Sequence, residues 1–424
     1  MARKMKDSGI EWIGEIPEGW EVVKAKYLFA QRNEKGNSAL VLLSPTQKYG
    51  VIPQSQLEGV VQVKENTDLR AFKTIHIGDF VISLRSFQGG FEFSNYEGVC
   101  SPAYQVFHAT KDLSNDFFRY LFKSDGFISK INSLTVGIRE GKNIQYWDFS
   151  NMLLALPPKE VQIRSAQYLN AKCTKIDTML FKTRSSIEEY KKLKQAVITQ
   201  AVTKGVCGER EMKDSGVAWI GKVPKEWDVR KLKAVSARIN VGVVIRPSEY
   251  FDDNGTVPFL RGINVKEYTI SSENMVYISQ TSNRALSKSQ VHTGDILIVR
   301  DGNIGASCVV PSCYNGANVV SMVIVTPNNC DSRFLCYSLN SEVGKTQFTL
   351  TKIGSALTHT SVSAVSDILS PVPSREEQYE IADYLDAKCA EIDGLIAKKE
   401  QLVKELESYK KSLIYEVVTG KREV

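Results

Sequence analysis

Histidine is scarce in this sequence, four among 424 residues, and the eight cysteines include no Cys-x-x-Cys pair. Cys308 and Cys313 lie five apart and Cys330 and Cys336 six apart, so the spacing offers nothing to nucleate a zinc centre, and structural thiols are expected. Catalytic signatures are missing too: there is no Gly-x-x-x-x-Gly-Lys-Ser/Thr phosphate loop, no Gly-x-Ser-x-Gly elbow, no His-Glu-x-x-His and no Gly-x-Gly-x-x-Gly turn. Glu140-Gly141-Lys142 is the tail of a nuclease-like pattern without a placed partner carboxylate. A chain without catalysis, cofactor or metal of its own is therefore expected. No apolar run approaches the roughly 20 residues of a membrane span. The opening MARKMKDSGIEW carries no apolar stretch behind its basic residues, which predicts a cytoplasmic protein. A net charge of +6 is weak support for an anionic partner.

What the sequence does contain is itself, twice. MKDSGIEWIGEIPEGWEVVKAK at 5–26 returns as MKDSGVAWIGKVPKEWDVRKLK at 212–233, with 13 identities in 22 and an offset of 207. IHIGDFVI at 75–82 matches VHTGDILI at 291–298, and YLNAKCTKID at 168–177 matches YLDAKCAEID at 384–393, both displaced by 216. The second copy thus holds a net nine extra residues between its opening and its Gly-Asp turn. Openings and tails match closely, whereas 30–155 resembles 240–370 only in scattered short motifs. A duplicated scaffold with divergent variable parts suggests one job performed on two different targets.

Both tails predict long helices. Alternating steps of four and three pick out Ile176, Leu180, Thr183, Ile187, Tyr190, Lys194, Val197 and Ala201, then Ile392, Ile396, Lys399, Val403, Leu406, Lys410, Leu413 and Val417 in the same register. No Pro or Gly falls between Lys172 and Lys204, a stretch that makes a rod of about 50 Å at 1.5 Å per residue. So narrow an apolar stripe needs a partner. Residues 159–204 hold ten basic and four acidic side chains and 375–424 nine and twelve, so the two seams are flanked by opposite net charge and pair with each other. A globular module lies between them and makes the pairing antiparallel. The interface is assigned to Ile176, Leu180, Ile187, Tyr190 and Val197 on one helix, and to Ile392, Ile396, Val403, Leu406 and Leu413 on the other.

Between the tails the pattern is mixed. Runs hinged on Gly-Asp, 75–84 and 291–299, read as strands, and 115–132 and 331–348 carry helical spacing of Phe, Leu and Tyr. Strands and helices do not alternate strictly, which predicts an α+β fold with an internal pseudo-twofold repeat. The divisions expected are 1–158 and 207–374 for the modules, with 159–206 and 375–424 for the spacer helices. Polar loops follow the Gly-Asp strands: Arg85, Ser86 and Gln88 in the first module, Arg300 and Asn303 in the second. Arg, Gln and Asn carry the forked donors and acceptors that match guanine and adenine edges. A second loop near each module end offers Arg139 and Lys142, and Lys352, Ser355 and Thr358, as contacts to phosphates or bases. The recurring Trp12, Trp20, Trp219 and Trp227 read as packing residues, and His76 and His292 as strand histidines satisfied by neighbours.

Each half resembles the specificity subunit of type I restriction-modification systems. The motifs that carry the resemblance are the Trp-Ile-Gly-x-x-Pro-x-x-Trp openings at 12–20 and 219–227, the Gly-Asp strands at 78 and 294, Ser101-Pro102-Ala103-Tyr104, Leu156-Pro157-Pro158 with Glu160 and Gln162, and Val418-Thr419-Gly420-Lys421. Val372-Pro373-Ser374 departs from the double proline, and Thr203-Lys204-Gly205 from Thr-Gly-Lys. The resemblance implies a non-catalytic subunit with two target-recognition domains held by an antiparallel helix pair. It implies binding to double-stranded DNA and to two modification subunits that carry S-adenosylmethionine and methylate adenine. Through them restriction (motor-nuclease) subunits join, and the rod length sets the gap between half-sites.

Overall fold

The computed structural model describes residues 3–35, 40–57, 69–83, 90–134, 144–352 and 359–424, the side chains of 351–352 excepted. The chain forms two compact units that cut across the sequence repeat: Met1–Arg184 with Gln401–Val424, and Ser185–Glu400.

The first unit is centred on a four-stranded antiparallel sheet in the order Phe29–Arg32, Gln105–Ala109, Phe80–Ile82 and Phe91–Phe93. Alternation along its strands explains the apolar runs of the Gly-Asp segment. Phe80 and Ile82 enter one core while Val81 between them enters another; Phe107 and Val106 divide in the same way. The larger core is built on phenylalanine: Phe29 lies within 6.0 Å, centroid to centroid, of Phe80, Phe107, Phe118, Phe122 and Phe149. Two helices, Asn115–Leu121 and Asp125–Ser133, cover that face. Glu21–Lys24 pairs antiparallel with Leu153–Leu156 and delivers the chain to the first long helix.

The second unit repeats this order. Its sheet runs Ser236–Val241, Val323–Pro327, Ile296–Ile298 and Ser307–Val309. Ile296 and Ile298 face one core and Leu297 the other, and Asp228–Lys231 pairs with Leu369–Val372. Helices Ser332–Asn340 and Glu342–Lys352 replace the first pair. This copy also carries a three-stranded sheet, Val276–Ile278, Val257–Leu260 and Asn318–Val319. Mixed helix and strand without βαβ alternation makes the fold α+β, with two domains linked by long helices.

Those helices are Lys159–Lys204 and Arg375–Val418. Ahead of the apolar seam, 159–171 of the first helix have a buried face of their own, Gln162, Ser165, Ala166 and Leu169. Gln162 secures the start: its amide donates to Pro157 O at 2.9 Å and its oxygen accepts from Ser114 N at 2.9 Å. Gln378 does the same in the second unit, to Pro373 O at 3.0 Å and from Asp331 N at 2.7 Å. Each helix stops at a glycine of positive φ, Gly205 at 79° and Gly420 at 73°. Thr203-Lys204-Gly205 therefore shifts the stop by one residue rather than removing it.

The helices run antiparallel inside each unit. In the first, Ile176, Leu180, Leu413, Ile414 and Val417 share one core, with Val403 and Leu406 packed at its margin. Asp177 receives Lys410 at 2.6 Å, and Arg184 pairs with Glu407. In the second, Ile198, Ala201 and Val202 share a core with Ile381, Ala382 and Leu385, and Val197 lies at its margin. Lys194 meets Asp393 at 2.6 Å and the Lys399 ammonium sits 5.6 Å from the Tyr190 ring centroid. Ile187 and Ile392 are buried, Tyr190 and Ile396 half-buried.

Candidate nucleic-acid interface

The Gly-Asp turn is the foundation of the candidate face. In the second unit Gly294 takes φ 90°, and buried Asp295 accepts from His292 N at 2.9 Å, from Thr326 Oγ1 at 2.7 Å and from Arg238 at 3.2 Å. The first unit repeats it: Asp79 accepts from His76 N at 2.9 Å and from Arg32 Nε at 2.8 Å. His76 lies between Glu34 at 3.0 Å and Glu97 at 3.2 Å, and its hydrogen bond holds the Glu34 carboxyl below the usual range. These anchors fix the strand that ends in each candidate loop.

Of the loop residues expected to read DNA, two are fully placed. The Arg300 Nε donates to Thr360 O at 2.9 Å, and Thr360 N donates back to Arg300 O at 3.2 Å, so the loop after the Gly-Asp strand is tied to the segment following 353–358. Asn303 is exposed, after Gly302 with φ 77°. Gly305 presses against Phe348, whose ring would lie 2.5 Å from an added Cβ, and so pins the loop base. Lys352 ends the helix Glu342–Lys352, and its side chain lies outside the description. Arg85, Ser86, Gln88, Arg139, Lys142, Ser355 and Thr358 lie outside the described residues. The base of the first-module loop is closed by Ser83 N donating to Gly90 O at 2.8 Å.

Sequence reasoning missed a third contributor. Val243 N donates to Val319 O at 2.8 Å, Ser321 N donates to Val243 O at 3.0 Å, and Ser321 Oγ approaches Asp301 at 3.4 Å. These contacts bring the chain after Ser236–Val241 beside the 300–303 loop. There Ile245 is 77% exposed and Arg246 takes φ 43°, a left-handed conformation uncommon for a side-chain-bearing residue. Ile263, 62% exposed, joins them through Gly262, whose added Cβ would lie 4.0 Å from Asp301 O. Arg246 engages Glu249 at 3.2 Å on the surface. In sequence, Val243-Val244-Ile245 looks like strand core; the clue was Arg246-Pro247, a chain reversal directly after an apolar run.

The buried thiols are quiet chemically. Burial pushes the Cys100, Cys308 and Cys330 thiols up to about 12 and Cys336 well above its usual value. Among the described residues no group of three or more His, Cys, Asp or Glu side chains could hold a metal ion, and no helix is long and apolar enough to cross a membrane.

The fold is a tandem scaffold, one sheet design built twice and packed on two long helices. Residues 224–405 match the model of the type I restriction modification DNA specificity domain. The type I restriction enzyme MjaVIII specificity subunit of Methanocaldococcus jannaschii is 25% identical over 96% of this chain and 93% of its own. The putative MjaX specificity subunit of the same organism is also 25% identical, over 96% and 95%. A solved chain described under assembly and conformational transition of the type I R-M system superposes with a TM-score of 0.73 at 17% identity, covering 96% of this chain and 99% of that one. The HsdS subunit from Thermoanaerobacter tengcongensis superposes at 0.55 and 18%, covering 96% and 98%. In sequence the second half is thus similar to the type I DNA specificity domain, and over nearly its whole length the chain is similar to specificity subunits of type I restriction enzymes and shares their fold.

Proposed function

We propose that the chain recognises a bipartite double-stranded DNA target, each module reading one half-site. It performs no chemistry itself and works in the cytoplasm. The observation that carries this reading is a single sheet scaffold built twice, with anchored Gly-Asp turns followed by loops of unlike sequence. Identical readers would need a palindromic target; unlike readers need two different half-sites. The chain docks two modification subunits that methylate adenine, and restriction subunits join through them. The helix pair sets the number of unread bases between the half-sites. The modules correspond to 1–158 and 207–374, with 159–206 and 375–424 as spacers.

In the second module Arg300 and Asn303 are joined at the reading edge by Arg246, with Ile245 and Ile263 placed to meet thymine methyl groups. The first module's readers are Arg85, Ser86, Gln88, Arg139 and Lys142, and Lys352, Ser355 and Thr358 complete the second. The experiment is methylation mapping in cells expressing the complete system with wild-type chain or Arg246→Ala. A bidentate base contact is worth about 1–3 kcal/mol of discrimination, so the variant relaxes one position of one half-site. Uniformly weaker methylation at an unchanged motif makes Arg246 a phosphate contact instead.

A further inference from the structure

The ion pairs between the long helices fall into two kinds when viewed through the repeat. At the tail offset of 216, Asp177 corresponds to Asp393 and Lys194 to Lys410. The structure pairs Asp177 with Lys410 and Lys194 with Asp393. These bridges are symmetric: a tail facing a copy of itself would bring Asp177 to Lys194, or Asp393 to Lys410, and lose nothing.

The other kind is not symmetric. Arg184 corresponds to Glu400, and Lys191 to Glu407. Arg184 pairs with Glu407 in the first unit. In the second, Lys191 is held by Glu188 at 2.9 Å and also feels Glu400 on the other helix, and both carboxylates raise its ammonium above the usual range. Here both cations stand on the first tail and both anions on the second. Two first tails would set Arg184 against Lys191, and two second tails Glu400 against Glu407. Facing charges in antiparallel helices set partner choice this way.

We infer that Arg184, Lys191, Glu400 and Glu407 form a partner-selection code which makes the first tail accept the second and reject another copy of itself. The apolar seam and the symmetric bridges fit any pairing. The transposed charges distinguish self-closure of one chain from association of like tails. Arg184 and Glu407 are 58% and 44% exposed, so each contact is individually small. By the repeat, each like pair would set two like charges against each other, where the unlike pair holds the Arg184–Glu407 ion pair and a weaker attraction between Lys191 and Glu400. Together they favour unlike over like pairing by on the order of tenfold at low salt.

The test cuts the folded chain at a protease site introduced at Cys207-Gly208, an exposed connector, unfolds and refolds the nicked protein, and weighs the reassembled species by native mass spectrometry. Wild type gives unlike pairs well above the 1:2:1 statistical proportion. Exchanging one pair, Arg184→Glu with Glu407→Lys, keeps every unlike contact attractive yet makes like pairs attractive too, and the excess falls several-fold. Exchanging the symmetric pair, Asp177→Lys with Lys410→Asp, raises it. An excess unmoved by both exchanges overturns the inference and assigns selection to the apolar and end contacts. In the uncut chain, Arg184→Glu lowers the thermal midpoint and adding Glu407→Lys restores it; failure to restore also overturns it. No arm uses DNA, so the outcome is independent of target recognition.

Discussion

Two tryptophans show how one substitution elsewhere changes a residue's work. Trp20 and Trp227 occupy equivalent places in the repeated opening, and both are buried. Trp227 Nε1 donates to Glu377 at 2.8 Å, and that carboxylate also receives Arg210. The position equivalent to Glu377 in the first copy is Val161, and Trp20 Nε1 finds no acceptor among the described residues. Hydrogen bonds to charged groups contribute about 1.5–3 kcal/mol, so Trp227→Phe costs about 1–2 kcal/mol more than Trp20→Phe in denaturant unfolding. Equal losses would contradict the assignment. The sequence shows four matching tryptophans as packing residues, and nothing in their spacing separates the bonded indole from the unbonded one. That difference lies 150 residues away in the chain, at Glu377.

At the scale of elements, the long helices were the most legible feature, because a seven-residue apolar repeat has no other good use. What holds their starts was less so. Gln162 and Gln378 appear in sequence only as motif letters; the fold shows them bridging a proline carbonyl to the cap of a module helix. The stops depend on glycine for a physical reason. Gly420 has φ 73°, and a Cβ there would meet Pro17 at 2.5 Å and Trp20 at 2.9 Å. Gly420→Ala therefore combines left-handed strain with a clash and lowers stability by about 1–3 kcal/mol, read as a fall in thermal midpoint. Gly208→Ala, at a site with nothing within 4 Å and no positive φ, changes it little. The strand around the Gly-Asp turn was legible from its β-branched run. The exposed Val244-Ile245-Arg246 segment was not, since apolar residues after a strand read as more strand until the positive φ of Arg246 and the contacts of Val243 are known.

At the scale of the molecule, duplication and divergence carry the functional argument. The sheet order, the Gly-Asp anchor and the glutamine clamp recur in both units. The small sheets and loops around them do not: Leu43–Thr46 pairs with Gly50–Pro53 in the first unit, whereas a three-stranded sheet stands in the second. Self-comparison of the sequence revealed the repeat and the divergence, because both copies are in one chain. It did not reveal that residues 401–424 complete the first unit, since chain order alone does not say which tail a module packs against.

The proposed independent reading by two unlike modules is tested most directly by replacing residues 30–155 with the corresponding segment of a similar specificity subunit and mapping methylated motifs in cells that carry a type I modification system reconstituted with this chain. The account predicts a new sequence in one half-site with the other half-site and the gap between them unchanged. A change in both half-sites, or a motif identical to the parent's, would contradict it.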